Sequence, residues 1–156
     1  MQSLQLVEIN VEGAPVAKVA VLSDIAKQAC ADTASLYQQF GFVRPWIGYL
    51  AVIDGSVVGT CAFTAFPAAG RVEIAYFTFP SFEGRGLATA MARELIAVAR
   101  TAKQGVEIFA QTLPVRNASN TILQKLGFAL AGEVNHAEEG MVWEWRLVPE
   151  SSKHRS

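Results

Sequence analysis

The chain has 156 residues, 51% of them hydrophobic and 17% charged, with 13 basic residues against 14 acidic ones and a net charge of −1. That length suits one domain around one core, and the near-neutral balance gives no basic groove for nucleic acid, so any bound anion must be held locally. Two cysteines without paired spacing, Cys30 and Cys61, and two histidines, His136 and His154, leave little for a disulfide framework or a metal site.

No apolar run reaches the roughly 18–20 residues of a membrane span, and "MQSLQLVEIN" lacks the basic region and apolar stretch of a signal peptide. The expectation is a cytoplasmic protein with buried structural thiols, no metal, no membrane contact and no nucleic-acid partner. Residues 1–148 are expected to form a single domain, with 149–156 a flexible tail.

Leu4 to Val11 alternates apolar and polar residues and reads as a first strand, after which Pro15 breaks the regularity. Leu22 to Phe40 turns helical, with Ser23 or Asp24 able to cap it. Two β-rich runs, Trp46 to Ile53 and Val57 to Phe66, meet at Asp54-Gly55, a pair suited to a tight hairpin. Arg71 to Phe79 makes a third consecutive strand ended by Pro80. From Gly86 to Ala102, Leu87, Met91, Leu95 and Val98 recur at helical spacing. Val106 to Ala110 is a short strand, and Ile122, Leu123 and Leu126 mark a further helix ended by Gly127. Phe128 to Glu133 and Met141 to Val148 close the domain as two strands joined by an acidic loop, "VNHAEEG". The order predicts an α/β fold, a mixed, mostly antiparallel sheet of about six to seven strands flanked by helices.

The stretch "FEGRGLAT", Phe82 to Thr89, opens the second helix with two glycines. The first N–H groups of a helix have no partner within it, so a loop without side chains lets an anion approach them. Glycine serves ligand-free turns equally well, and this stretch alone does not decide.

"VEIAYFTFPSFEGRGLATAMARELIAVA", followed by "TLPVRNASNTILQKLGF" and "MVWEWRL", resembles the GNAT superfamily of acetyl-CoA-dependent N-acetyltransferases, in the branch related to the ribosomal-protein N-terminal acetyltransferases. The likeness covers Trp46 to Leu147. It implies that backbone N–H groups from Gly84 to Thr89, through Arg85, Gly86, Leu87 and Ala88, bind the pyrophosphate of coenzyme A, with the Thr89 hydroxyl adding a hydrogen bond. It implies that Phe77, Thr78 and Phe79 pair their main chain with the pantetheine arm, and that Asn117, joined by Ser119, bonds the cofactor. For Ser119, and less so Asn117, capping the third helix is the competing role.

The same resemblance implies transfer of an acetyl group to a primary amine, whether a peptide N-terminus, an amino acid or a small amine, by direct attack in a ternary complex, with Glu73 as general base. The competing role for Glu73 is a residue on an open sheet face. Trp46, Tyr49 and Phe66 are candidates for an acceptor pocket and equally for the core. His136, Glu138 and Glu139 read first as a solvated turn. Two departures from the family pattern stand out: Glu83 replaces a Gln or Arg, placing a carboxylate near pyrophosphate, and Leu123 stands where many members carry a tyrosine acid. They keep open a second class of function, a non-catalytic acyl-CoA-binding or regulatory module. The acceptor's identity is not legible, and a homodimer is compatible with the sequence without being required by it.

Overall fold

The computed structural model describes residues 3–115 and 117–149; most of the expected tail lies outside them. The elements are β1 (Gln5–Glu8), α1 (Asp24–Phe40), β2 (Gly48–Ile53), β3 (Ser56–Phe63), β4 (Arg71–Thr78), a short 3₁₀ turn (Pro80–Phe82), α2 (Leu87–Ala102), β5 (Glu107–Thr112), α3 (Ala118–Lys125), β6 (Phe128–His136) and β7 (Gly140–Leu147). They build one seven-stranded sheet in the order β1-β2-β3-β4-β5-β7-β6. All neighbours run antiparallel except β4 and β5, the pair joined through α2.

Strand β1 is shorter than its alternation predicts. Beyond Glu8 the chain turns at Asn10, whose carboxamide oxygen accepts the N–H groups of Glu12 and Ala14. Strand β6 is longer than predicted and runs on to His136, because the polar segment Asn135–His136 keeps its ladder with β7. The turn then closes on His136 itself, whose Nδ1 accepts the N–H groups of Glu138 and Glu139 at 3.1 and 3.2 Å. Helix α1 is uninterrupted, starting at Ser23, whose hydroxyl accepts the Ala26 N–H.

Helices α1 and α2 cover opposite faces of the sheet. Thr33 and Tyr37 of α1 press against Gly48 of β2, whose cross-strand partner is Ala62 of β3. Met91 of α2 lies over Gly59, three residues along β3 and therefore on the other face. A β-carbon at Gly59 would sit 2.6 Å from the Phe77 carbonyl, so the close approach of β3, β4 and α2 depends on glycine there. The α2 face carries the main core: Val72, Ile74, Met91, Leu95, Ile108 and Trp145 are all buried. Burial of such side chains contributes roughly 1.5–3 kcal/mol each. Cys30 and Cys61 are both buried and free, as expected for structural thiols.

Candidate active site

Strand β4 changes character halfway along. Arg71, Val72 and Glu73 pair with Glu107, Ile108 and Phe109 of β5, and there the parallel ladder stops. Beyond that last rung, which engages the Ile74 N–H, β4 keeps β3 on one side and, among the described residues, has no strand partner on the other. A free strand edge presents a row of N–H and C=O groups to whatever adds to it.

The phase of those groups follows from the β3 ladder. Phe79 N–H donates to the Val58 carbonyl and Thr64 N–H donates to the Glu73 carbonyl. Antiparallel hydrogen-bonded pairs alternate with non-bonded ones, so the main-chain groups of Glu73, Ala75, Phe77 and Phe79 face β3, while those of Ile74, Tyr76 and Thr78 face away from it, the Ile74 N–H into the last rung of the β5 ladder and the Tyr76 and Thr78 groups onto the open edge. This corrects the expectation that Phe77, Thr78 and Phe79 act together. The Phe79 carbonyl is also committed, accepting from Phe82 N–H, and its ring is core at 2% exposure. Only Thr78 of the three presents its backbone to the open edge.

The open edge leads into a cavity of about 570 Å³ lined by Tyr76, Phe77, Thr78, Glu83, Gly84, Gly86, Leu87, Ala88, Thr89, Ala118, Ser119, Ile122 and Lys125. Its floor is the N-terminus of α2. Ser23 caps α1 and Asn117 caps α3, but among the described residues no side chain caps α2. The first-turn amides of α2 therefore have no acceptor within the helix and carry the positive end of its dipole. Gly84 and Gly86 hold φ of +80° and +74°, a left-handed backbone that brings the loop over these amides, and open space surrounds both. Lys125 adds a cation and Glu83 an opposing carboxylate.

A larger cavity, about 1050 Å³, lies at the other end of α2, beside Arg100, Gly105 and Val148. There the helix presents its negative end, so despite its volume it is the poorer place for a diphosphate.

Other expected cofactor residues are distributed differently. Arg85 is exposed and packs its guanidinium 5.5 Å from the centre of the Phe82 ring, outside the cavity lining. Asn117 is committed to α3: its side chain accepts from Ser119 and Asn120 N–H, and Asn120 returns the bond to the Asn117 N–H at 3.3 Å. Ser119, for which capping was the competing role, is not the cap and lines the cavity. Lys125 and Tyr76 complete the lining. A signal for Lys125 was present, since Ser119, Ile122 and Lys125 are spaced by three and share one helix face.

Glu73 occupies the opposite face of β4, the face of α1. Its carboxylate accepts a hydrogen bond from the Thr64 hydroxyl at 3.1 Å. Burial pushes its pKa upward, and Glu144 and Glu139 add to the rise, while the Thr64 hydrogen bond and His136 pull it back. The β6–β7 turn thus acts on Glu73 electrostatically. Beside it, Arg71 pairs with Glu107 and with Glu144, the latter at 2.8 Å, and stacks 4.1 Å from the centre of the Phe109 ring. Arg146 also meets Glu144, at 3.0 Å.

Around Glu73 a shallow cavity of about 280 Å³ is lined by Thr64, Phe66, Ala68, Arg71 and Phe109 among others. Of the three aromatics considered for an acceptor pocket, Phe66 lines this cavity. Tyr49 is core and donates its hydroxyl to the Pro45 carbonyl, and Trp46 packs edge-on against Phe63. Leu123 is fully buried. Tyr76 alternates with Glu73 onto the α2 face, and its hydroxyl makes no hydrogen bond to a described residue.

A free strand edge suits the amide-bearing arm of coenzyme A, and uncapped helix amides with Lys125 suit its diphosphate. No curated protein matches this chain in sequence. Solved structures with the same fold include RimL, a ribosomal L7/L12 alpha-N-protein acetyltransferase, in complex with coenzyme A, at 17% identity over 94% of this chain and 94% of that one with a TM-score of 0.67. They also include Mycobacterium smegmatis RimJ in complex with a CoA-disulfide, at 21% identity and a TM-score of 0.63, over 80% of this chain but only 61% of that one. A third is a ribosomal-protein-S5-alanine acetyltransferase from Vibrio fischeri, at 16% identity over 80% of this chain and 70% of that one, TM-score 0.61. Residues 17–129 match the model of the acetyltransferase (GNAT) domain. With that match spanning most of its length, the chain belongs to the GNAT family of acetyltransferases, whose co-substrate is acetyl-CoA.

Proposed function

We propose that this enzyme moves the acetyl group of acetyl-CoA directly to a primary amine in a ternary complex, and that it does so in the cytoplasm. The observation that carries this reading is the division of labour on β4. Glu73 and Tyr76 lie three residues apart on opposite faces, one beside the amine-accessible surface and the other in the cofactor cavity. Direct displacement needs a proton acceptor on the amine's side of the thioester and a donor on the sulfur's side.

In this reading the open-edge groups of Tyr76 and Thr78 hold the pantetheine arm, and the amides from Leu87 to Thr89 hold the diphosphate. Glu73 takes one proton from the incoming ammonium, leaving a neutral amine. A raised pKa makes it a better base than an ordinary carboxylate. The nitrogen bonds to the acetyl carbon, the carbon–sulfur bond breaks, and the electron pair leaves with sulfur. The nitrogen's second proton ends on that sulfur, and Glu73 returns its own to solvent. The Tyr76 N–H, the first open-edge amide beyond the β5 ladder, is available to the developing oxyanion.

Burial pushes the Tyr76 phenol up to about 12, so it stays protonated at working pH and offers the departing thiolate a hydrogen bond. Leu123 cannot do this. Thiol release from acetyl-CoA with a panel of amines is the test. Release that depends on an amine supports the reading, and acetyl-CoA binding without release for any amine favours a non-catalytic binding module.

A further inference from the structure

A second cavity on the α1 face says which amine fits. Beneath α1, a groove of about 340 Å³ runs between Ile25, Leu36 and Phe77 over a floor that includes Ala62 and Ala75. The two alanines are cross-strand partners and leave the floor low. They are the next pair along the sheet from Thr64 and Glu73, roughly 7 Å away at strand spacing. Ile25, Leu36 and Phe77 are exposed at 37%, 39% and 48%, an apolar surface at the mouth of the site. Glu73 therefore stands between two recesses on one face: this groove and the shallow cavity of Phe66 and Arg71.

Charge narrows the choice further. Among the described residues no lysine or arginine lines the groove, and its one carboxylate is Asp32, which takes a hydrogen bond from Gln28 on one oxygen. Across both recesses the cation is Arg71, and it is already paired with Glu107 and Glu144. A free carboxylate next to the reacting nitrogen would find acids and no available counter-charge, whereas an ammonium is favoured. A small amine occupies one recess, and a chain continuing past its first residue occupies both.

We infer that the preferred acceptor is the N-terminus of a peptide whose first residue is apolar, with that side chain in the α1 groove and the chain leaving past Phe66. The inference rests on the acetyl-transfer reading above and names its acceptor class. The test is kcat/KM, with acetyl-CoA saturating, for the peptide amides Phe-Gly-Gly and Gly-Gly-Gly, for free phenylalanine and for phenethylamine.

Phe-Gly-Gly amide should exceed Gly-Gly-Gly amide by roughly tenfold or more, the size expected from burying much of a large apolar side chain. It should exceed free phenylalanine by at least as much, and phenethylamine by less. Leu36→Asp, at a solvent-exposed helix position, should bring the Phe-to-Gly ratio toward one, and Ile25→Asp should repeat the effect should the first variant fold poorly. Equal rates for the two peptides, or free phenylalanine or phenethylamine matching the peptide, would overturn the inference while leaving acetyl transfer intact. No amine-dependent thiol release with any acceptor would instead remove the transfer reading beneath it.

Discussion

The two faces of β4 are built from different materials. The cofactor side is made largely of main chain: an unpaired strand edge, two left-handed glycines and the uncapped amides of α2. The acceptor side is made of side chains from distant segments: Glu73 and Arg71 from β4, Thr64 and Phe66 after β3, Asp32 and Leu36 from α1, and Glu144 from β7. A backbone site grips what every acetyl-CoA presents and tolerates sequence change except where a β-carbon intrudes. A side-chain site can be retuned one residue at a time. The co-substrate is therefore readable from the family, and the acceptor has to be read from this chain.

The sharpest way to break that contrast is at Gly86. Gly86→Val puts a β-branched residue at φ +74°, strained in itself, and fills open space that a diphosphate would take. The variant should lose the thermal stabilisation by acetyl-CoA, about 2.7 kcal/mol at a hundredfold excess over the dissociation constant. Calorimetry on a folded variant that still binds as tightly as wild type would move the diphosphate away from this loop.

Glu73→Gln should leave acetyl-CoA affinity alone and lower kcat by about 10²-fold, the usual range for a positioned base. The deficit should shrink as pH rises toward the amine's own pKa, where neutral amine is plentiful. Stability should move the other way. Because the folded pKa of Glu73 is raised, its charged form is disfavoured by folding, so the wild type carries a penalty that is absent below the ordinary carboxylate range and grows as pH climbs to the raised folded value. The Gln variant should melt higher than wild type at neutral pH, and the two should converge in acid. Wild-type turnover in the variant near neutral pH, acceptor saturating, would place proton removal elsewhere.

Tyr76→Phe tests the sulfur side. Losing one hydrogen bond to the departing thiolate should lower kcat about tenfold with little change in the acceptor KM. A fall in acetyl-CoA affinity with kcat preserved would make Tyr76 a packing residue of the cavity.

The smallest expected effects, and the finest probe of the backbone site, come from its two charges. Glu83→Gln should tighten acetyl-CoA and Lys125→Gln should loosen it, each by a few-fold at low salt and less at high salt. Equal dissociation constants at low ionic strength would mean that neither side chain faces the diphosphate.

Much of the fold was legible because local signals agreed with each other: Asp54-Gly55 between two alternating runs, Pro80 after the third strand, and a four-four-three apolar rhythm in α2. Strand β6 was cut short because its outer half is polar, as an edge strand facing water can be, and its end is set by the His136 side chain closing the turn. The glycine loop was legible since glycine marks backbone need. The phase of β4 was not, because which amides face outward depends on the register with β3, and no residue type encodes it. Whether Asn117 or Ser119 caps α3 was not legible for a similar reason: the choice turns on which residue begins the helix, and Asn120 settles it by completing the reciprocal cap with Asn117. Arg71 and Glu73 stand two apart and so share a face. Glu107 and Glu144, the partners of Arg71, arrive from strands with no sequence proximity to announce them.

The three-residue ladder between β4 and β5 has a mechanical side as well. It makes the sheet two panels, β1–β4 and β5–β7, joined along Arg71–Glu73 and unpaired beyond it. A ligand that bonded to the open edge would act as an eighth strand and join the panels beyond Glu73. Glu73 is the last rung of that junction, so any stiffening on binding would reach the residue proposed to face the amine. Loading the co-substrate first would then set the stiffness, and with it the aim, of the surface on which the acceptor arrives.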